Sequence, residues 1–430
     1  MNRIAKNAVW IIASKIVQSI LSLVVGMLSA RYLGPSNYGL ITYAASLTAF
    51  VLPVAQLGLN NILVHELVEK PELEGETLGT AMVFNAASAF LCMLGVAAFT
   101  AIANPNEPIT FCVCILYSFN LLFQSLDLIT YWFQARLLSK YSSVISLLAY
   151  VLVSAYKIFL LIAHKSIFWF AVTASIDSLV IGVASLAVYY KVGGRKLSLN
   201  YKNGQLMFSK SRYYIISSMM VTVFGQTDRI MLKIMIDEAA TGYYGAAITC
   251  ASSTWFIYPA IIDSFRPAIF EAKKNDMQIF ERRLAMLYSI IIYISLLHSA
   301  LIALFAPLIV RILYGDAYLP AQSALRIAVW YVTFSYLGSV RNIWILANNQ
   351  QRHLWKINLC GALANVFLNL LLIPQMGING AALASLCTQF FTNVVVGFIF
   401  PPIRENNRIM LMGCNPSYLV EAFKSLSIKR

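Results

Sequence analysis

The sequence predicts an all-α integral membrane protein of about twelve transmembrane helices, set as two six-helix bundles in a V around a central cavity. Three observations lead there. The 430 residues are 59% hydrophobic and 12% charged, with a mean hydropathy of +0.71, whereas a soluble domain carries about 25% charge. Apolar runs recur at close to the ~20 residues that a helix needs to cross a bilayer with its backbone polar groups satisfied internally. Lys and Arg concentrate in alternate connections between the runs.

The first run, 8–30, follows Arg3 and Lys6 and ends on Ser29 and Ala30. Lys15 interrupts it, and it exceeds the apolar stretch of a signal peptide, so it reads as an uncleaved first span. Further spans fall at 38–63, 78–103, 109–133, 143–163 and 168–190, then at 211–235, 243–266, 283–306, 322–347, 357–374 and 378–400. Between the two groups, "KVGGRKLSLNYKNGQLMFSKSR" carries six cations and no acid. Its Gly-Gly and Asn-Gly pairs read as turns. The expected division is an N-terminal bundle over 1–190, a basic cytoplasmic linker over 191–210, a C-terminal bundle over 211–400 and a cytoplasmic tail over 401–430. The acidic connection "HELVEKPELEGET", with Glu66, Glu69, Glu72, Glu74 and Glu76 against Lys70, reads as a solvated cytoplasmic loop.

Orientation follows from Lys and Arg, which resist translocation near the ends of spans. With the N-terminus inside, 22 of them lie in inside segments and 3, namely Arg31, Lys165 and Arg311, in outside ones. Both termini are therefore expected in the cytoplasm. The net charge of +14 is explained by this bias and needs no nucleic acid.

Weak internal repetition supports the two halves. "RYLGPSNYGLITYAAS" after the first span answers "IDEAATGYYGAAITCASS" after the seventh, so that Tyr38-Gly39 matches Tyr244-Gly245. "YWFQARLLSKYSSV", with Trp132 and Lys140, matches "IWILANNQQRHLWK", with Trp344 and Arg352, at a similar offset. Parallel repeats of this kind place a cavity between two bundles near the midplane.

Catalytic machinery is not visible. The seven cysteines are an odd number and lie mostly inside spans, where a thiol packs as a small apolar group. "HELVE" lacks the second histidine of a zinc helix, and "GGRK" is no phosphate loop. Aromatic residues, at 13%, cluster near span ends as interfacial anchors.

Charges inside the spans are the informative set: Lys15, Lys157, Arg229, Lys233, Arg266, Arg326 and Arg341, with Asp127, Asp177, Asp228 and Asp263. A charge at the bilayer centre costs about 2.5–3.5 kcal/mol by insertion scales and more by simulation, so these groups must face protein or water. Arg229 and Lys233 are four apart and Asp263 and Arg266 three apart, so each pair shares a helix face. Tyr150, Ser154 and Lys157 trace one polar stripe, and Gln124 and Asp127 another. Arg326 and Arg341 are about 60° out of line at 3.6 residues per turn and can border one cavity near its two ends. Arg266, Arg326, Lys15 and Asp263 also lie close enough to span ends to snorkel, and Asp263 with Arg266 can form a local ion pair. Arg229 and Lys233 differ, because Asp228 alone cannot neutralise both. Seven cations against four acids leave an excess of +3, which suits an anionic cargo. Asp127 and Asp177, with no basic neighbour in their own spans, are the candidates for coupling to a proton gradient.

Four stretches together resemble the signatures of Wzx-type polysaccharide flippases, of the multidrug/oligosaccharidyl-lipid/polysaccharide exporter superfamily: "ARYLGPSNYGLITYAAS", "QTDRIMLKIMIDEAATGYYGAA", "ILYGDAYLPA" and "LIPQMGINGAALAS". The resemblance covers nearly the whole chain. It implies a non-enzymatic transporter in the bacterial inner membrane that moves undecaprenyl-pyrophosphate-linked oligosaccharide units, with O-antigen preferred, from the cytoplasmic to the periplasmic leaflet by alternating access. It implies the lipid-linked oligosaccharide and membrane lipids as partners, with a polysaccharide polymerase and chain-length regulator beside them. No cofactor or metal is expected, and direction comes either from downstream consumption of the flipped unit or from a proton or sodium gradient, coupling to which resembles a feature of some relatives. Asp228 and Arg229 occupy the family's acid-cation position, while Lys233 stands where relatives often have Gly. A lipid II flippase, or another carrier of polyprenyl-diphosphate sugars, shares the cargo chemistry. A multidrug exporter of the same superfamily would favour an acidic cavity.

Overall fold

The computed structural model describes residues 3–253 and 257–427, with side chains over 17–253, 257–422 and 424. The described residues are almost wholly helical and divide into two compact units, Met1–Gly242 and Tyr243–Arg430.

The first unit holds α1 (Arg3–Ala55), α2 (Leu63–Glu69), α3 (Glu74–Ala103), α4 (Pro108–Phe123), α5 (Ile129–Ala135), α6 (Ser139–Ile162), α7 (Ile167–Lys191) and α8 (Tyr201–Met235), and ends within α9 (Glu238–Ala251). The first two expected spans are one long α1, broken at Gly34, whose φ of 72° and ψ of 170° are non-helical. Glycine carries no Cβ to oppose that conformation, and Pro35 then restarts the helix. Two buried cores lie at opposite ends of this unit. One joins Leu63, Leu78, Trp132, Phe133, Tyr189 and Met207; the other joins Tyr43, Leu47, Val113, Cys114, Phe170 and Ile230. Since Met207 and Ile230 are both on α8, that helix is packed into the first unit at both ends.

The basic segment read as a linker is structured. Residues 192–200 lie across the start of α3: Ser198 N donates to Gly75 O at 3.2 Å, Asn200 N to Thr80 Oγ1 at 3.0 Å, and Asn200 Nδ2 to Glu76 Oε1 at 3.0 Å. Asn200 then caps α8, its Oδ1 accepting from Lys202 N and Asn203 N, which satisfies two of the donors a helix start leaves open. Hence residues 201–210 are the first turns of α8 rather than connection.

The second unit contains the rest of α9, then α10 (Ile257–Asn275), α11 (Met277–Tyr314), α12 (Ala321–Ala347), α13 (Leu354–Met376) and α14 (Ile378–Phe390). A π-helical turn over Phe391–Val395 leads to α15 (Val396–Ile399), followed by α16 (Arg404–Gly413) and α17 (Pro416–Ser427). The expected tail is therefore folded. Asn406 and Asn407 on α16 are fully buried, Arg282 of α11 pairs with Glu421 of α17, and Ala422 packs on Met286 and Ile290.

Eight helical segments among the described residues are long and apolar enough to cross a membrane. They cover nine of the twelve expected spans, because Val17–Ala55 holds two. The other three coincide with α8, with α9 and α10, and with α12. Large apolar side chains such as Leu91 (67% exposed), Ile102 (81%) and Leu304 (70%) face outward along the helices. In water such a surface would aggregate; in hydrocarbon it is solvated. The chain is a multi-pass membrane protein.

Candidate functional site

Three charged residues of α8 meet different surroundings. Lys233 is 4% exposed. Its Nζ donates to Glu107 Oε2 at 2.7 Å and lies 3.4 Å from Glu238 Oε2. Asp228 is also buried. Arg229, one turn before Lys233, is half-buried and uses Nη1 on Gln226 Oε1 at 3.1 Å, while its buried Nε has no hydrogen-bond partner. Among the described residues it forms no ion pair. The expectation that Arg229 and Lys233 share a need for outside anions is thus corrected for Lys233, whose counter-charges come from the fold itself.

Glu107 sits between α3 and α4, just outside the apolar spans. Partial burial would raise its pKa, but hydrogen bonds from Lys233 and Thr110 outweigh that and hold it below the ordinary carboxylate value.

A second cluster lies inside the first unit. Lys157 on α6 is within electrostatic reach of Asp177 on α7, and Asp177 of Asp127. Asp127 belongs to a short 3-10 turn, Leu126–Leu128, between α4 and α5. Leu126 of that turn rests on Gly182 of α7, where a Cβ would collide with it, so the two acid-bearing elements approach closely. Tyr117 and Tyr150 border the cluster. Asp127 Oδ1 and Asp177 Oδ1 are buried without hydrogen-bond partners. Lys157 is therefore not an isolated cavity cation; its neighbour is an acid.

In the second unit the expected cavity residues are dispersed. Arg341 on α12 is 5% exposed, and its Nη1 donates to Thr392 O at 2.7 Å. The π-helical turn shifts backbone pairing there, and Arg341 and Asn407 bond carbonyls of that turn, Asn407 Nδ2 reaching Val394 O at 2.7 Å. This places Arg341 in the core of the unit rather than on an open cavity wall. Arg326 is exposed. Arg266 and Asp263 form an exposed i,i+3 pair at 2.9 Å, the local ion pair allowed by their spacing. The side chain of Lys15 lies outside the described residues.

The family model described as "polysaccharide biosynthesis protein" matches residues 4–273. The chain belongs to that family. Its curated relatives include the uncharacterized membrane protein MJ1068 of Methanocaldococcus jannaschii, 24% identical over 271 residues, or 60% of this chain and 52% of the relative. The probable low-salt glycan biosynthesis flippase Agl15 of Haloferax volcanii is 23% identical over 200 residues, or 46% and 42%. The chain spans about half the length of the curated relatives it matches. Among solved structures, the fold is similar to that of lipid II flippase MurJ in an inward closed conformation, with a TM-score of 0.75 at 14% identity over 96% of this chain and 91% of that one. It is also similar to an inward-facing multidrug resistance MATE family transporter of the MOP superfamily, with a TM-score of 0.65 at 13% identity over 92% and 95%. At these identities the likeness is one of fold.

Several buried charges of the chain are not legible in its sequence. Glu74 is 2% exposed, accepts from Trp132 Nε1 at 2.9 Å and pairs with Arg136 at 2.5 Å. Glu66 is 5% exposed and pairs with Lys210 of α8 at 2.5 Å. The acidic connection is thus no solvated loop: two of its five glutamates are buried in ion pairs. Glu238 lies five residues beyond Lys233, a spacing that could have signalled contact across the helix end. Glu107, 126 residues away in sequence, gave no such signal. Among the described residues, the first unit contains Arg229, whose buried Nε has no hydrogen-bond partner, and Asp127 and Asp177, each with one buried oxygen in the same state.

Proposed function

We propose that the chain is a flippase that carries undecaprenyl-pyrophosphate-linked oligosaccharide, an O-antigen repeat unit in the preferred case, from the cytoplasmic to the periplasmic leaflet of a bacterial inner membrane, with both termini cytoplasmic. The carrying observation is Arg229. It is a half-buried guanidinium in a membrane helix, with a partnerless buried Nε and no acid paired to it among the described residues. A guanidinium presents five N–H donors in a planar fork that matches phosphate oxygens. A diphosphate supplies the missing acceptors, and its passage through the membrane loses the desolvation penalty of an unpaired charge. The oligosaccharide travels in water while the polyprenyl chain remains in lipid. Membership of the polysaccharide biosynthesis family supports this cargo class.

Alternating access moves the cargo, and direction comes from consumption of the flipped unit or from an ion gradient. For the gradient, Asp127 and Asp177 are the coupling groups. Each has one buried carboxylate oxygen without a hydrogen-bond partner, an acceptor that a bound proton or sodium ion would satisfy. A polymerase and a chain-length regulator are the partners that would consume the product.

The test is transfer of undecaprenyl-pyrophosphate oligosaccharide in sealed vesicles, read by a membrane-impermeant lectin. Transfer above that of protein-free vesicles is expected. Transfer of lipid II alone would narrow the cargo to that carrier lipid's peptidoglycan form. Efflux of an organic cation without lipid transfer would overturn the reading in favour of a drug exporter.

A further inference from the structure

Resting on the flippase reading, the surroundings of Lys233 suggest how cargo is sensed. Lys233 is 3% exposed at its side chain, whereas its partners Glu107 and Glu238 are 42% and 38% exposed. Thr110 Oγ1 donates to the same Glu107 oxygen at 2.6 Å, which fixes that carboxylate over the end of α8. Glu238 is fixed differently. Its carbonyl oxygen presses on Gly39 so closely that a Cβ there would collide with it, and Gly242 meets the Pro35 carbonyl in the same way. The two stretches that match in sequence, around Gly39 and Gly242, therefore cross backbone to backbone inside the first unit. Lys233 ties that crossing to Glu107. One turn away, Arg229 bonds Gln226 and forms no ion pair among the described residues.

We infer that Glu107 and Glu238 are resident counter-anions of Lys233, which a diphosphate seated on Arg229 displaces, and that this exchange releases the Gly39–Gly242 crossing. The asymmetry of exposure makes the exchange one-directional in its requirements. The two glutamates already touch solvent and can be hydrated when Lys233 leaves. Lys233 cannot leave for nothing, because a buried ammonium without a partner bears the full penalty of desolvation. Only an arriving anion of equal or higher charge, one helical turn from Arg229 and within reach of both side chains, permits the move. Glu107 and Glu238 thus act as positioning residues, which keep the corner between α8 and α9 closed while cargo is absent.

Cys114 supplies the reporter. It is fully buried on α4 and within electrostatic reach of both Lys233 and Glu107. In full-length protein keeping Cys114 alone, with the other six cysteines changed to Ser, a membrane-impermeant maleimide is applied to sealed vesicles with undecaprenyl diphosphate or undecaprenol. Retention of the radiolabelled lipids is measured in the same samples. Labelling several-fold higher with the diphosphate and unchanged with the alcohol is expected. In Glu107→Gln, which leaves one counter-anion, the rise should occur at lower diphosphate concentration. Diphosphate retained while Cys114 stays protected overturns the exchange and leaves the cargo assignment standing. No diphosphate retained by the wild-type side chains at 107, 229, 233 and 238 overturns both.

Discussion

Arg229 and Lys233 stand on successive turns of α8, and Glu107 and Glu238 pair with Lys233 and not with Arg229. In this structure Lys233 is therefore neutralised by the fold, while Arg229 is left for a ligand.

The division predicts unequal mutants. Arg229→Ala should weaken retention of undecaprenyl diphosphate by roughly tenfold to a hundredfold, the loss expected for a hydrogen bond to a charged group worth about 1.5–3 kcal/mol. Arg229→Lys should keep part of the affinity, since it retains charge but loses the planar fork. Thermal stability should change little in either, because Arg229 forms no ion pair among the described residues. Binding of the radiolabelled lipid beside a melting curve for each variant checks this.

Glu107 predicts a pH dependence. Its pKa in the folded protein lies below the ordinary carboxylate value, about 4.3 for Glu. Its contact with Lys233 therefore stabilises the fold fully above that ordinary value, and the contribution is lost as pH falls through the lowered folded value. Between neutral pH and this acid range, the melting temperature of the wild type should fall more than that of Glu107→Gln. Parallel curves would show that the pair contributes nothing to stability.

At the other end of the first unit, the pair of Glu74 and Arg136 predicts a stability defect without a cargo defect. Arg136→Met leaves the buried Glu74 carboxylate with Trp132 as its remaining hydrogen-bond donor. Breaking a buried pair typically costs about 3–5 kcal/mol, and since Arg136 is half-exposed the lower end applies. Glu74→Gln, which keeps an acceptor for Trp132, should be milder. Protease resistance in detergent, compared with diphosphate retention by the surviving protein, separates the two effects.

Asp177→Asn tests gradient coupling. If Asp127 and Asp177 take up the coupling ion, the variant should bind diphosphate normally while its transfer rate no longer responds to an imposed proton or sodium gradient. A rate that still follows the gradient in both Asp127→Asn and Asp177→Asn would remove these residues from coupling.

Much of the fold was legible because its cause is local. Each apolar run of span length becomes helix where lipid denies the backbone other partners, so among the described residues the runs fall on helical segments, the one at 243–266 on both α9 and α10. The break at Gly34 and the structured tail were less visible. A positive φ at one glycine interrupts no hydropathy pattern, and α16 hides two asparagines, Asn406 and Asn407, that read as surface residues. The site was half legible. Charges inside α8 were evident from their cost, but which of them is satisfied depends on residues far away in sequence, such as Glu107 for Lys233 and Lys210 for Glu66, 144 residues apart. Arg341 shows the same limit, since its partner is a carbonyl exposed by a π-helical turn that composition does not encode.

The most direct measurement is transfer of undecaprenyl-pyrophosphate oligosaccharide between leaflets of sealed vesicles by wild type and by Arg229→Ala at equal protein level. Transfer by the wild type that collapses in Arg229→Ala is the result predicted for a cation that meets the cargo diphosphate. Equal transfer by both would contradict that assignment and leave Arg229 a partner of Gln226 alone.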